Sequence, residues 1–283
     1  MRDGVNRVAS GARTRGQEIA RNAARLDVPW ARCDFARMLR EIILSAGFGP
    51  LMSLYTRRRA HGRELLGGLE PPVLFVANHS SHMDTPMILR MLPARWRQRV
   101  AVAAAADYFY RKRWVAHAVS LMFSTVPMAR GGGGMTNDAT RHVTRLLDER
   151  WSLLVYPEGT RSRDGKVGRL RSGVAVLAAE HGIPIVPIYV TGTALAMPKG
   201  LSWPKLRLFR RRYPVTLTFG EPIYPRPGEH RTELMERVRE FFAAQGAATT
   251  PGKIVRRPPA DADAEAPAEP AAEPARAPLT PAA

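Results

Sequence analysis

The sequence predicts a single α/β domain with a largely parallel central sheet flanked by helices, an N-terminal helical segment before it and a disordered C-terminal tail after it. Three observations point there. Short apolar runs without polar alternation, such as Val73-Leu74-Phe75-Val76-Ala77, read as strands buried on both faces. Between these runs, apolar residues recur at helical spacing, and strands alternating with helices argue for parallel pairing. Beyond Ala247 the composition falls to Ala, Pro and Glu with almost nothing to bury.

Taken in order, residues 1–34 are basic and poor in large apolar groups, which predicts a flexible N-terminus. Residues 35–66 form a helical segment with Phe35, Met38, Leu39, Ile42 and Ile43 at helical spacing, broken at Gly47, Gly49 and Pro50. Two readings of it stand: a pair of short helices packed on the core, or an amphipathic pair in a bilayer interface with arginines reaching the headgroups. The α/β domain is expected over residues 67–246, with strands at Val73–Ala77, Val100–Ala104, Ser124–Met128, Ser152–Tyr156, Ile185–Val190 and Val215–Phe219. The first is followed by a helix with Thr85 as N-cap and Pro86 at the first helical position. Asn137 or Asp138 opens a helix carrying Val143, Leu146 and Leu147 on one face. Gly173–Glu180 is a helix stopped by Gly182, and a last helix bears Leu234, Val238, Phe241 and Phe242. Residues 247–283 are the tail.

The chain's 283 residues carry a formal charge of +18. The tail holds four Lys/Arg against five Asp/Glu, a net of −1, which leaves the other 246 residues at +19. Such a field favours an anionic partner: an acidic lipid surface, a phosphorylated substrate or nucleic acid. A single cysteine, Cys33, excludes an internal disulfide framework and suits a reducing compartment. The N-terminus is Arg-rich and lacks the apolar core of a secretory signal. The charge-free stretches 42–56, 114–129 and 183–198 each fall short of the ~20 apolar residues a spanning helix needs, and each contains a proline. A cytoplasmic protein, held peripherally at the inner face of a membrane, is the expectation.

The chemistry concentrates at strand ends. Asn78-His79-Ser80-Ser81-His82-Met83-Asp84 follows the first apolar run directly. Imidazole titrates nearest neutral pH, and a carboxylate on its other ring nitrogen fixes the tautomer and stabilises the imidazolium. Five positions apart on an ideal helix is about 140°, so His79 and Asp84 meet only with the histidine on the loop and the aspartate at the helix entrance. Against this oriented base stand plainer readings: a loop histidine, and an aspartate favouring the helix dipole. A metal reading of His79, His82 and Asp84 lacks further ligands, since no other His/Asp/Glu cluster has convincing spacing, and no metal is expected. With no G-x-S-x-G elbow in the chain, a base without a protein nucleophile suggests that the substrate carries the attacking hydroxyl.

Tyr156-Pro157-Glu158-Gly159-Thr160-Arg161-Ser162 is a second strand-end turn, at the place where open α/β sheets bind ligands. Arg161 offers a fork suited to phosphate oxygens, and Glu158 could hold that fork or orient a substrate hydroxyl. The alternative is a surface turn with a local ion pair. Val126-Pro127-Met128-Ala129-Arg130 precedes four glycines, and is either a further anion contact or a loose connection. Aromatics interleave with basic residues in 108–114 and 203–213, a composition shared by membrane-interface belts and single-strand nucleic-acid grooves.

Together these blocks resemble the glycerolipid acyltransferase family typified by 1-acylglycerol-3-phosphate acyltransferase, over roughly residues 70–225. Asn78-His79 through Asp84 resembles its His-x4-Asp box, 126–130 its second block, 156–162 its Phe-Pro-Glu-Gly-Thr-Arg-Ser box, and Ile185-Val186-Pro187-Ile188 its fourth block. The resemblance implies His79 as general base and Asp84 as its orienting partner. It implies an acceptor phosphate site of Arg130, Glu158, Gly159, Thr160 and Arg161, with Arg171 a further contact. Two departures stand out: Ala129 replaces an acidic residue common before the second-block arginine, and Tyr156 replaces Phe, tolerable where its hydroxyl finds a partner. The implied reaction moves a fatty acyl group from acyl-CoA or acyl carrier protein to a lysophospholipid hydroxyl, with no cofactor and no acyl-enzyme. The implied partners are that donor, the lysophospholipid and an anionic membrane surface, with no nucleic acid. The alternatives are the same chemistry on glycerol 3-phosphate or another lysolipid or glycolipid, or a basic membrane- or nucleic-acid-binding module with vestigial motifs.

Overall fold

An apolar run with no polar face cannot lie on a sheet that has one side in water, so it must take an inner position. Leu74–Ala77 (β2), all four residues buried, does so in a seven-stranded sheet. The computed structural model describes residues 26–105, 113–128, 137–162, 165–201, 203–205 and 212–248. Most of the expected flexible N-terminus and of the tail lies outside these residues. The other strands are β1 (Thr56–His61), β3 (Val100–Ala105), β4 (Thr125–Met128), β5 (Ser152–Val155), β6 (Ile185–Thr191) and β7 (Tyr213–Phe219). Their order across the sheet is β1-β7-β6-β2-β5-β3-β4. Strands β2 to β6 run parallel, with Leu74 level with Leu153 on one side and Ile185 on the other. β7 is antiparallel to β6, and β1 is parallel to β7. The largely parallel sheet expected from the alternation is present, closed at one side by two reversed strands.

Helices cover both faces, because alternate residues of each inner strand point to opposite sides. Phe75 and Ala77 face a core with Met87, Ile88 and Met91 of α3 (Asp84–Met91) and with Trp96 of the short α4 (Ala94–Arg97). Phe75 and Trp96 meet edge to face at 5.5 Å. Leu74 and Val76 face the other core, with Val143, Leu146 and Leu147 of α6 (Asn137–Asp148). Val174, Ala175, Leu177 and Ala178 of α7 (Gly173–His181) and Leu234, Val238 and Phe242 of α9 (Arg231–Ala244) complete it. Between the two groups of helices in sequence lies α5 (Arg113–Phe123), and α8 (Thr193–Ala196) is a single turn after β6.

The N-terminal segment differs from expectation in two ways. α1 (Asp34–Ile42) runs on through a π-helical stretch, Ile43–Phe48, into α2 (Gly49–Tyr55), so the glycines and Pro50 do not end the helix. Pro50 sits in the first turn of α2, directly after the π-helical stretch, where the regular α-helical bonding pattern is already interrupted. The helical reading to residue 66 is corrected at Thr56–His61, which is the edge strand β1. Its Arg-rich sequence carries no apolar alternation, and the ladder with β7 makes it a strand. Arg40 of α1 is buried and donates from Nε to the carbonyl of Leu121 (2.7 Å), with its Nη2 reaching the carbonyls of Ala31 and Ser120. Burial, helped by Arg32 and Arg37, lowers its pKa to about 10.

At the β6 end, Gly192 turns the chain with φ +86°. A Cβ there would lie 1.9 Å from the Pro214 carbonyl oxygen, so only glycine lets the turn close against β7. Gly192→Ala is expected to cost about 1–3 kcal/mol, read as a lowered urea midpoint with unchanged slope. An unchanged midpoint would show that this turn relaxes freely.

Candidate active site

The loop after β2 is built to present His79. Asn78 is buried and continues the β2–β6 ladder with its side chain: Nδ2 donates to the Val190 carbonyl (2.9 Å) and Oδ1 accepts the Val190 N–H (2.7 Å). His79 then leaves the sheet at its carboxyl edge. Its Nδ1 lies 2.9 Å from Asp84 Oδ2. The same oxygen accepts the N–H groups of Ser80 (2.7 Å) and Ser81 (2.8 Å), and Oδ1 accepts the Thr193 hydroxyl at 2.5 Å. Asp84 is completely buried, whereas His79 keeps some exposure to the outside. An ionised carboxylate in that position, with four donors, fixes the imidazole with Nδ1–H pointing inward and the Nε2 lone pair free.

This also corrects the reading of Thr85 as N-cap. The helix starts at Asp84, whose carboxylate reaches back to the two preceding N–H groups, and Pro86 falls at the third helical position. Thr85 has another role: its hydroxyl meets the Tyr156 hydroxyl at 2.9 Å. The Tyr156 ring stacks on the imidazole of His79, centroids 4.0 Å apart and 21° from parallel. The phenolic hydroxyl thus has the partner that a tyrosine at this place requires. Burial pushes its pKa well up, so it stays neutral.

The turn after β5 is laced to the His79 loop from both sides. Glu158 Oε1 accepts the His79 N–H (2.8 Å), Oε2 accepts the Gly168 N–H (2.8 Å), and Ser162 N–H donates to the His79 carbonyl (2.8 Å). Glu158 therefore does not hold the fork of Arg161; both its oxygens serve backbone groups. Burial raises its pKa, and the two backbone donors oppose that rise. Gly159 turns with φ +69°, and a Cβ would meet the guanidinium of Arg171 at 3.0 Å, so Arg171 lies directly against this turn. Thr160 is exposed, Arg161 is half-buried, and the Arg161 carbonyl accepts from Lys199 Nζ at 3.0 Å.

His82 lies half-buried near Arg161 and His79. Burial first, then the charge of Arg161 and of His79, lowers its pKa to about 4. It is neutral through the physiological range. Among the described residues no group of three or more His, Cys, Asp and Glu side chains is placed to hold a metal ion.

The structure brings together His79, Asp84, Glu158, Gly159, Arg161 and Arg171 of the residues singled out in the sequence. Arg130 lies outside the described residues, as do 106–112 and 206–211 of the basic-aromatic runs. Sequence reasoning missed Thr193, the ring stack of Tyr156 and the laddering role of Asn78. Thr193 stands 109 positions from Asp84, and its only local signal is the Gly192 turn after a strand.

Comparison with known proteins adds a family. Residues 57–191 match the Acyltransferase family. A chloroplastic 1-acyl-sn-glycerol-3-phosphate acyltransferase of Brassica napus is 31% identical over 139 residues, 49% of this chain and 38% of that protein. One from Arabidopsis thaliana is 29% identical over 49% of this chain and 37% of its own length. One from Limnanthes douglasii is 29% identical over 53% of this chain and 50% of its own. The match thus spans half or less of these relatives. The crystal structure of a 1-acyl-sn-glycerophosphate acyltransferase from Thermotoga maritima has the same fold, with a TM-score of 0.54 over 76% of this chain and 83% of that one, at 23% identity.

Proposed function

We propose, from the match of residues 57–191 to the Acyltransferase family, that the chain is a glycerolipid acyltransferase that moves a fatty acyl group from a thioester donor to the free hydroxyl of 1-acylglycerol-3-phosphate, giving phosphatidic acid. The observation that carries this reading is the 2.9 Å contact of His79 with a fully buried, four-donor Asp84 at the carboxyl edge of the sheet, beside the arginine-bearing turn. Nε2 of His79 takes the proton of the acceptor hydroxyl as that oxygen attacks the thioester carbonyl. Asp84 stabilises the imidazolium so formed. Collapse of the tetrahedral adduct breaks the carbon–sulfur bond, and the departing thiolate receives the proton from the imidazolium. No protein nucleophile is needed. Acyl-CoA and acyl carrier protein both suit the basic body of the chain as donors. The named relatives, which act on 1-acyl-sn-glycerol-3-phosphate by their names, favour that acceptor over glycerol 3-phosphate or other lysolipids.

Arg161 is the acceptor's phosphate contact in this reading. It stands on the turn bonded to the His79 backbone, so a phosphate gripped there holds its glycerol hydroxyl close to the base. Gly159 lets the turn approach, with Thr160 and Arg171 along its rim and Glu158 as the backbone tie. In this reading the lysophospholipid acceptor is drawn from a membrane surface. Phe35, Met38 and Ile42 line an exposed face of α1, and Leu54 and Trp114 are exposed too. Among the described residues no helix is long and apolar enough to cross a membrane, and a peripheral docking of the α1 face to an anionic bilayer suits this surface and the net charge.

Three outcomes are expected. Purified protein given mixed lysolipids with acyl-CoA or acyl carrier protein should form phosphatidic acid, seen by mass spectrometry, and His79→Ala should lower the rate ~10²–10⁴-fold with its thermal melt unchanged. Retained turnover in that variant rules out the assigned base. Arg161→Ala should raise KM for the phosphorylated acceptor about tenfold while KM for the donor holds; the opposite split would move this arginine to the donor site. Replacing Phe35 and Met38 together by serine should weaken flotation with phosphatidylglycerol-containing vesicles about tenfold, and unaltered flotation would remove α1 from the contact.

A further inference from the structure

The residue that completes the acid–base pair comes from the connection after β6, the strand that lies directly beside β2. Thr193 is completely buried in the first turn of α8, immediately after Gly192. Its hydroxyl donates to Asp84 Oδ1 at 2.5 Å and, having spent its proton there, can only accept at 3.2 Å from Ser80 Oγ. Oδ2 of Asp84 carries the other three bonds, from His79 Nδ1–H and the N–H groups of Ser80 and Ser81. The two oxygens are thereby told apart. One is shared by the loop and the imidazole, and the other is held by Thr193 alone among the described residues.

We propose that Thr193 is a positioning residue for acyl transfer: its hydroxyl pins Asp84 Oδ1 so that Oδ2 stays in line with His79 Nδ1. This inference rests on the reading of His79 as the base. Without the hydroxyl, Oδ1 is left in an apolar interior with no donor, which an ionised carboxylate does not tolerate without turning or drawing harder on its remaining partners. The loop N–H groups at Ser80 and Ser81 oppose turning, because both would be stranded. The carboxylate therefore concentrates its charge on Oδ2, and the imidazole gains its proton at a higher pH. A second tie makes the placement rigid: Ser81 Oγ donates to the Met197 carbonyl at 2.7 Å, so both ends of the α8 turn are bonded to the histidine loop. Ser80 and Ser81 are thus clamped between Asp84 and the β6–β7 connection.

The test compares Thr193→Val, which keeps the shape and removes the hydroxyl, with Thr193→Ser, which keeps the hydroxyl. Thr193→Ala replaces the valine variant if the latter melts early. The variant without a hydroxyl should lose about tenfold or more in kcat with KM for both substrates unchanged within twofold. The acid limb of its kcat/KM profile should move to higher pH, and Thr193→Ser should keep at least about half of the wild-type kcat. Substrate-free NMR titration of the His79 Cε1–H signal, assigned by its absence in His79→Ala, should show the same upward displacement. A hydroxyl-free variant with wild-type kcat and an unmoved titration overturns the proposal, as does a serine variant impaired as badly as the valine one. Loss of transfer in His79→Ala together with a silent Thr193 would defeat only this inference; transfer surviving in His79→Ala would defeat the base itself, whatever the titration shows.

Discussion

A single buried carboxylate organises the working edge of this protein. Asp84 has no contact with water, and an ionised group in that position must find its donors within the protein. It finds four, from the loop that carries His79, from that loop's two serine N–H groups, and from a threonine on the connection after β6. Each donor belongs to a segment that would otherwise be free to choose its conformation. The loop from β2 into α3 therefore has one low-energy arrangement, and the imidazole inherits its orientation from it. The same carboxylate also lies at the positive end of α3, where the helix dipole favours its charge.

Around this centre, polar side chains repeatedly replace backbone partners that the sheet can no longer supply. Parallel strands run out at their carboxyl ends and leave N–H and C=O groups without neighbours, which is why ligand sites gather there. Asn78 restores two of the missing bonds to β6, and Glu158 takes up the N–H groups of His79 and Gly168. Both are polar residues in largely buried positions, and both are satisfied by backbone groups. A carboxylate such as Glu158, which the eye assigns to substrate, is thus committed to holding two loops together. Through the His79 N–H it fixes where that residue leaves the sheet.

What could be read from the sequence follows the same physical division. β2, β3, β5 and β6 are legible because a strand buried on both faces must be apolar throughout, and the helices between them keep one apolar stripe. His79, Asp84 and Arg161 are legible because they sit at strand ends in a tight local pattern. β1 is not: Thr-Arg-Arg-Arg-Ala-His has no strand signature, and only the ladder with β7 makes it one. Capping chemistry misled in one respect, since Thr85-Pro86 looks like a helix start while Asp84 fills that place and sends Thr85 to Tyr156. Thr193 was invisible for a plainer reason. A hydrogen bond spanning 109 positions leaves no trace in spacing, and depends on where Gly192 turns the chain beneath β7.

The two histidines of the loop show how the surroundings divide labour between identical side chains. His79 has a carboxylate on one nitrogen and an aromatic face against its ring, which together fix the direction in which its other nitrogen points. His82, three residues on, is pressed between the interior and the guanidinium of Arg161, which hold it neutral down to about pH 4. A protonated His82 would add charge of the same sign as the neighbouring Arg161. A neutral one leaves the positive charge of this edge to the arginines. In the proposed reaction this division leaves the phosphate to Arg161 and the proton to the one imidazole that a buried carboxylate holds in place.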